Sequence, residues 1–304
     1  MLNIGNRGNQ LGVETRRRTQ GLVAINISAI IFGTAALFGK IDVSPVWIVD
    51  LRAAFAALVL LAFAIGRRQL HRPPVALVPS LLGTGVILAV HWITFFMAVQ
   101  LAGIATATLT FATFPLFTIV INGANERVRP RFLEVAAGCV IVAAVSLLMN
   151  VELVGSDQRL GVAAGLASAI SFAGFTILSK TLGRALSPLL ISVYQNGVVA
   201  VVLVPFLPFA GHTPDRGSQW FWLVVLGVTT TALMHQLYFF ALQRLSPTTC
   251  SGFVALEPVY AIIFASMFFN EPLTISVVIA GAMILAASFM LLLLDRAMVA
   301  PQIV

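Results

Sequence analysis

The sequence predicts an all-α integral membrane protein: ten transmembrane helices, arranged as two inverted five-helix repeats around a central cavity. Three observations carry that reading. First, 59% of the 304 residues are hydrophobic and only 10% are charged. A soluble domain carries about 25% charged residues to solvate its surface, so most of this surface faces lipid. Second, ten apolar stretches follow one another, each close to the roughly 20 residues a helix needs to cross a hydrocarbon core about 30 Å thick. Third, the second half of the chain repeats the first.

The stretches are 21–39, 46–65, 76–99, 105–123, 132–149, 160–179, 188–209, 219–241, 249–269 and 274–294. The first follows the basic segment TRRRT and closes at Lys40. Ser44-Pro45 opens the second and Ser187-Pro188 the seventh, with proline at the first helical position, where its missing N–H costs nothing. The connectors RRQLHRPP, NERVRPR, GSDQR, GHTPDRGS and NEPLT concentrate Pro, Gly and charge. A transmembrane β-barrel would show strands of alternating polarity instead. The expected organisation is a basic tail at 1–20, a first repeat at 21–150, an external linker at 151–159, a second repeat at 160–294 and a tail at 295–304.

The net charge of +7 and the pI near 10.4 invite a nucleic-acid reading, which the distribution of charge argues against. With a cytoplasmic N-terminus, the inner side holds Arg7, Arg16, Arg17, Arg18, Arg67, Arg68, Arg72, Arg127, Arg129, Arg131, Lys180, Arg184, Arg244 and Arg296, fourteen in all. The outer side holds three, Lys40, Arg159 and Arg216, while Arg52 lies inside a helix. Fourteen against three is a positive-inside bias that places both termini in the cytoplasm. TRRRT is read as the flank of a retained helix rather than of a signal peptide, because no clear small-residue cleavage site precedes Lys40. Cys139 and Cys250 stand alone in apolar helices and read as small hydrophobes, with no metal site or disulfide framework expected.

Residues 21–40, GLVAINISAIIFGTAALFGK, align with 161–180, GVAAGLASAISFAGFTILSK, with seven identities at an offset of 140. HWITFF (91–96) returns as HQLYFF (235–240), Pro115 is answered by Pro258, and Ala137-Gly138 by Ala280-Gly281. The order holds along the chain, so this is a duplication. Each unit has five crossings. Because five is odd, the second copy enters from the opposite side and lies upside down against the first. Inverted repeats suit secondary transporters, since exchanging the conformations of the halves turns an outward opening into an inward one around a midplane site.

Helix number, the five-plus-five duplication, small size and the stretch ALEPVYAIIFASMFFNEPLT resemble the drug/metabolite transporter superfamily, each half being similar to its EamA-type repeat over about residues 21–294. Within it, WIVDLRAAFAALVL and HWITFFMAVQLAGIATATLTFATFPLF look most like the YddG-type exporters of aromatic amino acids. The resemblance implies export of aromatic and other neutral amino acids by alternating access. It also implies that the fourth and ninth helices border the cavity.

The candidate residues follow from the cost of polarity in lipid. His91 and His235 fall mid-span, where a polar side chain faces the bundle interior, water or a neighbouring backbone carbonyl. Trp92, Gln236 and Tyr238 beside them offer rings for stacking and polar tips for amino and carboxyl groups. Tyr194, Gln195 and Asn196 are consecutive and span about 200° of helix, so at least one faces inward. Asn26 joins them because amides rarely face lipid. Pro115 and Pro258 are expected to kink their helices as gate elements. Glu257 reads as a proton-coupling carboxylate or a structural acceptor, and Arg52 as a snorkelling, paired or substrate-binding cation. The threonines of the fourth and eighth helices are expected to bond their own backbone. Ala136 with Ala143 and Ala280 with Ala287 mark small-residue faces for close packing, within the monomer or in a homodimer.

No Walker motif is present, so the energy is expected from the substrate gradient or a coupled ion. Three alternatives stand beside amino acid export: export of other small metabolites or cationic drugs, an intramembrane enzyme using the two histidines, and a pore. The enzyme lacks a convergent set of carboxylates, and the pore lacks a charged ring or filter-like repeat. The expected partners are a small-molecule substrate and membrane lipid, with no cofactor, metal or nucleic acid.

Overall fold

Among the described residues twelve α-helices carry the ten crossings: one helix runs from the third crossing into the fourth, and the fourth, eighth and ninth crossings are each divided between two helices. The structure, a computed structural model, describes residues 4–126, 131–149, 155–270 and 273–299. Arg127 and Arg129, the first part of the linker expected at 151–159, Glu271 and Pro272 of NEPLT, and the extreme ends of both tails lie outside them.

In the first half, α1 (Ile4–Ala35) passes into a 3-10 turn (Ala36–Lys40), followed by α2 (Pro45–Gly66), α3 (Val78–Phe111), α4 (Phe114–Glu126) and α5 (Phe132–Met149). In the second come α6 (Ser156–Leu182), α7 (Pro188–Leu203) with a 3-10 extension (Val204–Phe209), and α8 (Gly217–Gly227). A π-helical stretch (Val228–Leu233) joins α8 to α9 (Met234–Leu242), and α10 (Pro247–Val254), α11 (Glu257–Phe269) and α12 (Ile275–Val299) complete the chain. Among the described residues, seven helical segments are long and apolar enough to cross a membrane, and 114–124, 132–147 and 275–291 are shorter apolar helices. Helix α1 runs back to Ile4 and so takes in most of the segment read as a tail, its basic residues Arg16, Arg17 and Arg18 remaining exposed.

The fourth and ninth crossings differ from the continuous helices expected at 105–123 and 249–269. Helix α3 continues through Gly103, whose φ of 81° bends the chain from the third crossing into the fourth, a conformation glycine adopts without a Cβ penalty. The fourth crossing then breaks at Ala112-Thr113 and resumes in α4, and the ninth breaks at Ala255-Leu256 and resumes in α11. In both, a proline follows the break by two residues, Pro115 and Pro258, where it lacks the N–H that would continue the ladder. The kinks expected from the prolines are present and are matched between the repeats.

Packing repeats as faithfully as sequence. Helix α6 packs on α3 and α4, as α1 packs on α9 and α11. Helix α3 packs on α7 as α2 packs on α8, while α2 with α7 and α5 with α12 are pairs that exchange with themselves. Two glycines permit the α3–α7 and α2–α8 contacts. A Cβ on Gly85 would stand 2.6 Å from Val198 Cβ, and one on Gly227 would stand 2.6 Å from Phe55 Cβ and 2.9 Å from the Arg52 carbonyl. Matching landmarks therefore sit six residues apart in the first repeat (Gly85 to His91) and eight in the second (Gly227 to His235). The surplus falls where the π winding lies.

The α5–α12 face is one residue off the expected one. Ala137 and Ala144 are buried there together with Ala280 and Ala287, whereas Ala143 is exposed and Ala136 half-buried. Ala137 and Ala144 are the true mates of Ala280 and Ala287 at the offset of 143, since heptad spacing alone does not fix which of two adjacent alanines points inward.

Candidate functional site

Between the halves, side chains from α1, α2, α3 and α11 close a cage of aromatic rings around two opposite charges. Phe32, Ala35, Arg52, His91, Trp92, Phe95, Phe111 and Glu257 line a cavity of about 10 Å³. That is room for about one water, so the cage is shut in this structure.

Arg52 does not snorkel; it is buried at 2% exposure. Its guanidinium carbon lies 4.1 Å from the centroid of Trp92 and 5.4 Å from that of Phe96. Its Nε donates to Thr231 Oγ1 at 3.0 Å, and a terminal nitrogen approaches the Thr230 carbonyl at 3.5 Å. Both acceptors belong to the π stretch, where Thr231 Oγ1 itself donates to the Leu226 carbonyl five residues back. Such local rewinding is frequent at functional sites because it turns carbonyls out of the ordinary helical ladder. Glu257 opens α11 directly after the break, where the helix dipole favours a carboxylate. It is fully buried, and its Oε2 has no hydrogen-bond partner. Arg52 and Glu257 face the same cavity without forming an ion pair with each other.

The two histidines take different settings. His91 Nδ1 lies 2.8 Å from Ser168 Oγ and 3.1 Å from the Ser168 carbonyl, so it is tied across the repeats to α6. The carbonyl can only accept, which favours hydrogen on Nδ1 and leaves Nε2 as an acceptor. Its ring packs against Phe172 and Phe111, with centroids 4.7 and 5.2 Å away. His235 stacks on Trp92, with centroids 5.3 Å apart and planes at 19°. Its Nδ1 lies 3.5 Å from Asn196 Nδ2, and its Nε2 is unpartnered, as is Asn196 Oδ1. Buried polar atoms are almost always satisfied, so these unpartnered groups next to the cage stand out among the described residues.

The profile of the EamA-like transporter family matches residues 19–150 and 159–293. The chain belongs to the EamA-like transporter family. Among curated proteins it is similar to an uncharacterized transporter of Archaeoglobus fulgidus, 28% identical over 268 residues, covering 88% of this chain and 94% of that protein. It is also similar to the uncharacterized transporter YxxF of Bacillus subtilis, 21% identical over 266 residues, with 84% of each covered. A solved crystal structure of a protein superposes with a TM-score of 0.70 at 18% identity, covering 92% of this chain and 99% of that one, a likeness of fold. The relatives' names state transport and no substrate.

In this EamA-like transporter several candidates stand apart from the cage. The Tyr194 hydroxyl donates to the His71 carbonyl at 3.0 Å, at the end of the bundle. Gln195 donates to Thr84 at 2.8 Å and Ser179 at 3.1 Å, tying α7 to α3 and α6. Gln236 reaches the Pro188 carbonyl at 3.4 Å, and Asn26 bonds back to the Leu22 carbonyl of its own helix at 2.7 Å. Tyr238 sits edge-on to the cage residue Phe32, 6.1 Å between centroids, with its hydroxyl 2.6 Å from Thr176 Oγ1. Thr108, Thr110, Thr113, Thr229 and Thr230 bond their own backbones as expected.

Three residue groups were missed in the sequence. Phe32 and Phe111 complete the aromatic wall, and Phe32 carried a signal as one of the seven identities, paired with Phe172. Thr231 binds Arg52 although threonine there reads as packing. Gln100 and Gln243, equal at an offset of 143, cap the loop before the second helix of each repeat: Gln100 donates to the Val43 carbonyl at 2.8 Å, and Gln243 to the Leu186 and Gly183 carbonyls at 3.0 and 3.1 Å.

Proposed function

We propose that this EamA-like transporter exports aromatic and other neutral amino acids by alternating access, with both termini cytoplasmic in a bacterial inner membrane. The observation that carries the proposal is the pair Arg52 and Glu257, buried and lining one cavity without a direct ion-pair contact. A buried charge without an ionic partner costs several kcal/mol, a cost that a ligand carrying both opposite charges would offset. A zwitterion does so with one molecule: its carboxylate meets the Arg52 guanidinium and its ammonium meets the Glu257 carboxylate. Phe32, Trp92, Phe95 and Phe111 then receive an apolar or aromatic side chain by offset or edge-on stacking.

The route of opening follows from the breaks. Substrate cannot enter a 10 Å³ cavity unless the halves separate. The interruptions at Ala112-Thr113 and Ala255-Leu256 let the cage-facing parts of the fourth and ninth crossings swing without unwinding the rest. Arg52 holds α2 to the π stretch of the other repeat, so a substrate carboxylate that claims the guanidinium loosens a contact between the halves. Export of a cationic drug fits less well, because a cation in the cage meets the Arg52 guanidinium lying over Trp92.

Counterflow in proteoliposomes with a panel of labelled amino acids, run with and without a pH gradient, tests the reading. Exchange of phenylalanine, tryptophan and leucine with little exchange of lysine or glutamate is expected. Exchange of organic cations and of no amino acid would overturn it.

A further inference from the structure

A second concavity lies at the arginine-rich end of the bundle, outside the cage. It is an open groove of about 880 Å³ between the two repeats, bounded by α1 and α2 on one side and by α7 and α9 on the other. Its rim carries Arg16, Thr19, Gln20, Arg67 and Gln69. Its wall is apolar, formed by Val23, Ile27, Phe63, Leu237 and Phe240.

We infer that this groove is a binding site for an anionic phospholipid, with the phosphodiester held between Arg16 and Arg67 and an acyl chain laid along the wall. Charge and depth argue for that occupant together. No acidic residue lines the groove, and among the described residues neither Arg16 nor Arg67 has an acidic partner. The Arg67 guanidinium lies 4.1 Å from the centroid of Phe63, which holds it at the rim beside the apolar wall. A third cation backs the same wall: the Arg244 guanidinium lies 3.4 Å from the centroid of Phe240, and its Nε is buried without a partner. Cations at one end and apolar surface below match a headgroup and its tail, whereas a free amino acid would find a wall that satisfies none of its polar groups. Val23 and Ile27, at 54% and 44% exposure, leave that wall open to the bilayer.

The position gives the lipid a consequence. The groove is shared by both repeats, and Gln236 on its floor adjoins His235, which stacks on Trp92 of the cage. A lipid that fits only while the groove is open at this width favours the conformation seen here over one in which the repeats have moved.

Native mass spectrometry of the detergent-purified protein, offered an equal mixture of phosphatidylglycerol and phosphatidylcholine, tests the inference without depending on what is transported. Phosphatidylglycerol is expected to be retained in preference, on the order of ten-fold, with Arg16→Gln/Arg67→Gln removing most of that preference. Arg159→Gln, at the other end of the bundle, should keep it. Ile27→Trp, which fills the wall and leaves the rim intact, should lower retention of both lipids at this site. Equal retention of the two lipids by the wild-type protein would overturn the inference, and so would an unchanged preference in the double variant. Displacement of the lipid by glycerol phosphate without tails would reduce the site to a phosphate site and overturn the lipid assignment.

Discussion

Arg52→Gln separates the proposed chemistry from mere structure. In the closed cage the guanidinium makes one charge-assisted hydrogen bond to Thr231 and lies over Trp92. A desolvated cation–π contact contributes about 2 kcal/mol, and that much stability should be lost with any ligand or with none. Binding is a separate term. Hydrogen bonds to a charged partner contribute about 1.5–3 kcal/mol each, so a substrate carboxylate accepting two from Arg52 gains at least about 3 kcal/mol. At 1.4 kcal/mol per factor of ten, the variant should bind L-phenylalanine roughly 150-fold more weakly than wild type. Phenethylamine, which has the ring and the ammonium but no carboxylate, should lose no affinity and should bind the variant as tightly as wild type or more so, because the substitution removes a cation that opposes its own. Equilibrium binding by calorimetry on detergent-purified protein, with a thermal melt to confirm folding, reads both ligands. If the folded variant weakens phenylalanine and phenethylamine alike, or neither, Arg52 does not hold the carboxylate.

Three further outcomes test the framework. Gly227→Ala places a Cβ 2.6 Å from Phe55 Cβ and 2.9 Å from the Arg52 carbonyl, so it should cost about 1–3 kcal/mol by overpacking, seen as a lower melting temperature. The same change at Gly174, mid-helix and with nothing within 4 Å of the new Cβ, should not lower the melt and should stabilise by about 0.4–1 kcal/mol. Gln243→Leu removes two hydrogen bonds to loop carbonyls and Gln100→Leu removes one, so their losses of about 1–3 and 0.5–1.5 kcal/mol should rank in that order in the same assay. Ala144→Ile should disrupt the α5–α12 face and lower the melt by an amount typical of overpacking, about 1–3 kcal/mol. Ala143→Ile, on an exposed position, should not.

The helices and their duplication were legible in the sequence because the bilayer imposes length and polarity on each crossing and an odd count forces inversion. The kinks beside Pro115 and Pro258 were legible from a local cause, a missing N–H, whereas the full interruptions at Ala112-Thr113 and Ala255-Leu256 were not. What the sequence could not state was side-chain direction. Gln195, Asn196 and Tyr194 are neighbours in the chain, yet one ties α7 to α3 and α6, one backs His235 and one reaches the loop at His71. Ala136 and Ala137 were equally good packing residues until the facing helix selected one. The π stretch escaped because its threonines are ordinary for a membrane helix. Only the longer interval from Gly227 to His235, compared with Gly85 to His91, betrayed it, and that interval is meaningful only once the glycine contacts are known.

Alternating access through the cage is tested most directly by thiol labelling of Ala35→Cys, a small change at a cavity-lining position, in a background lacking the exposed Cys139 and the buried Cys250. The account predicts that membrane-impermeant reagents reach this thiol from either face, in right-side-out and in inverted vesicles, and that phenylalanine slows both reactions. Labelling from one face only, unaffected by phenylalanine, would contradict it.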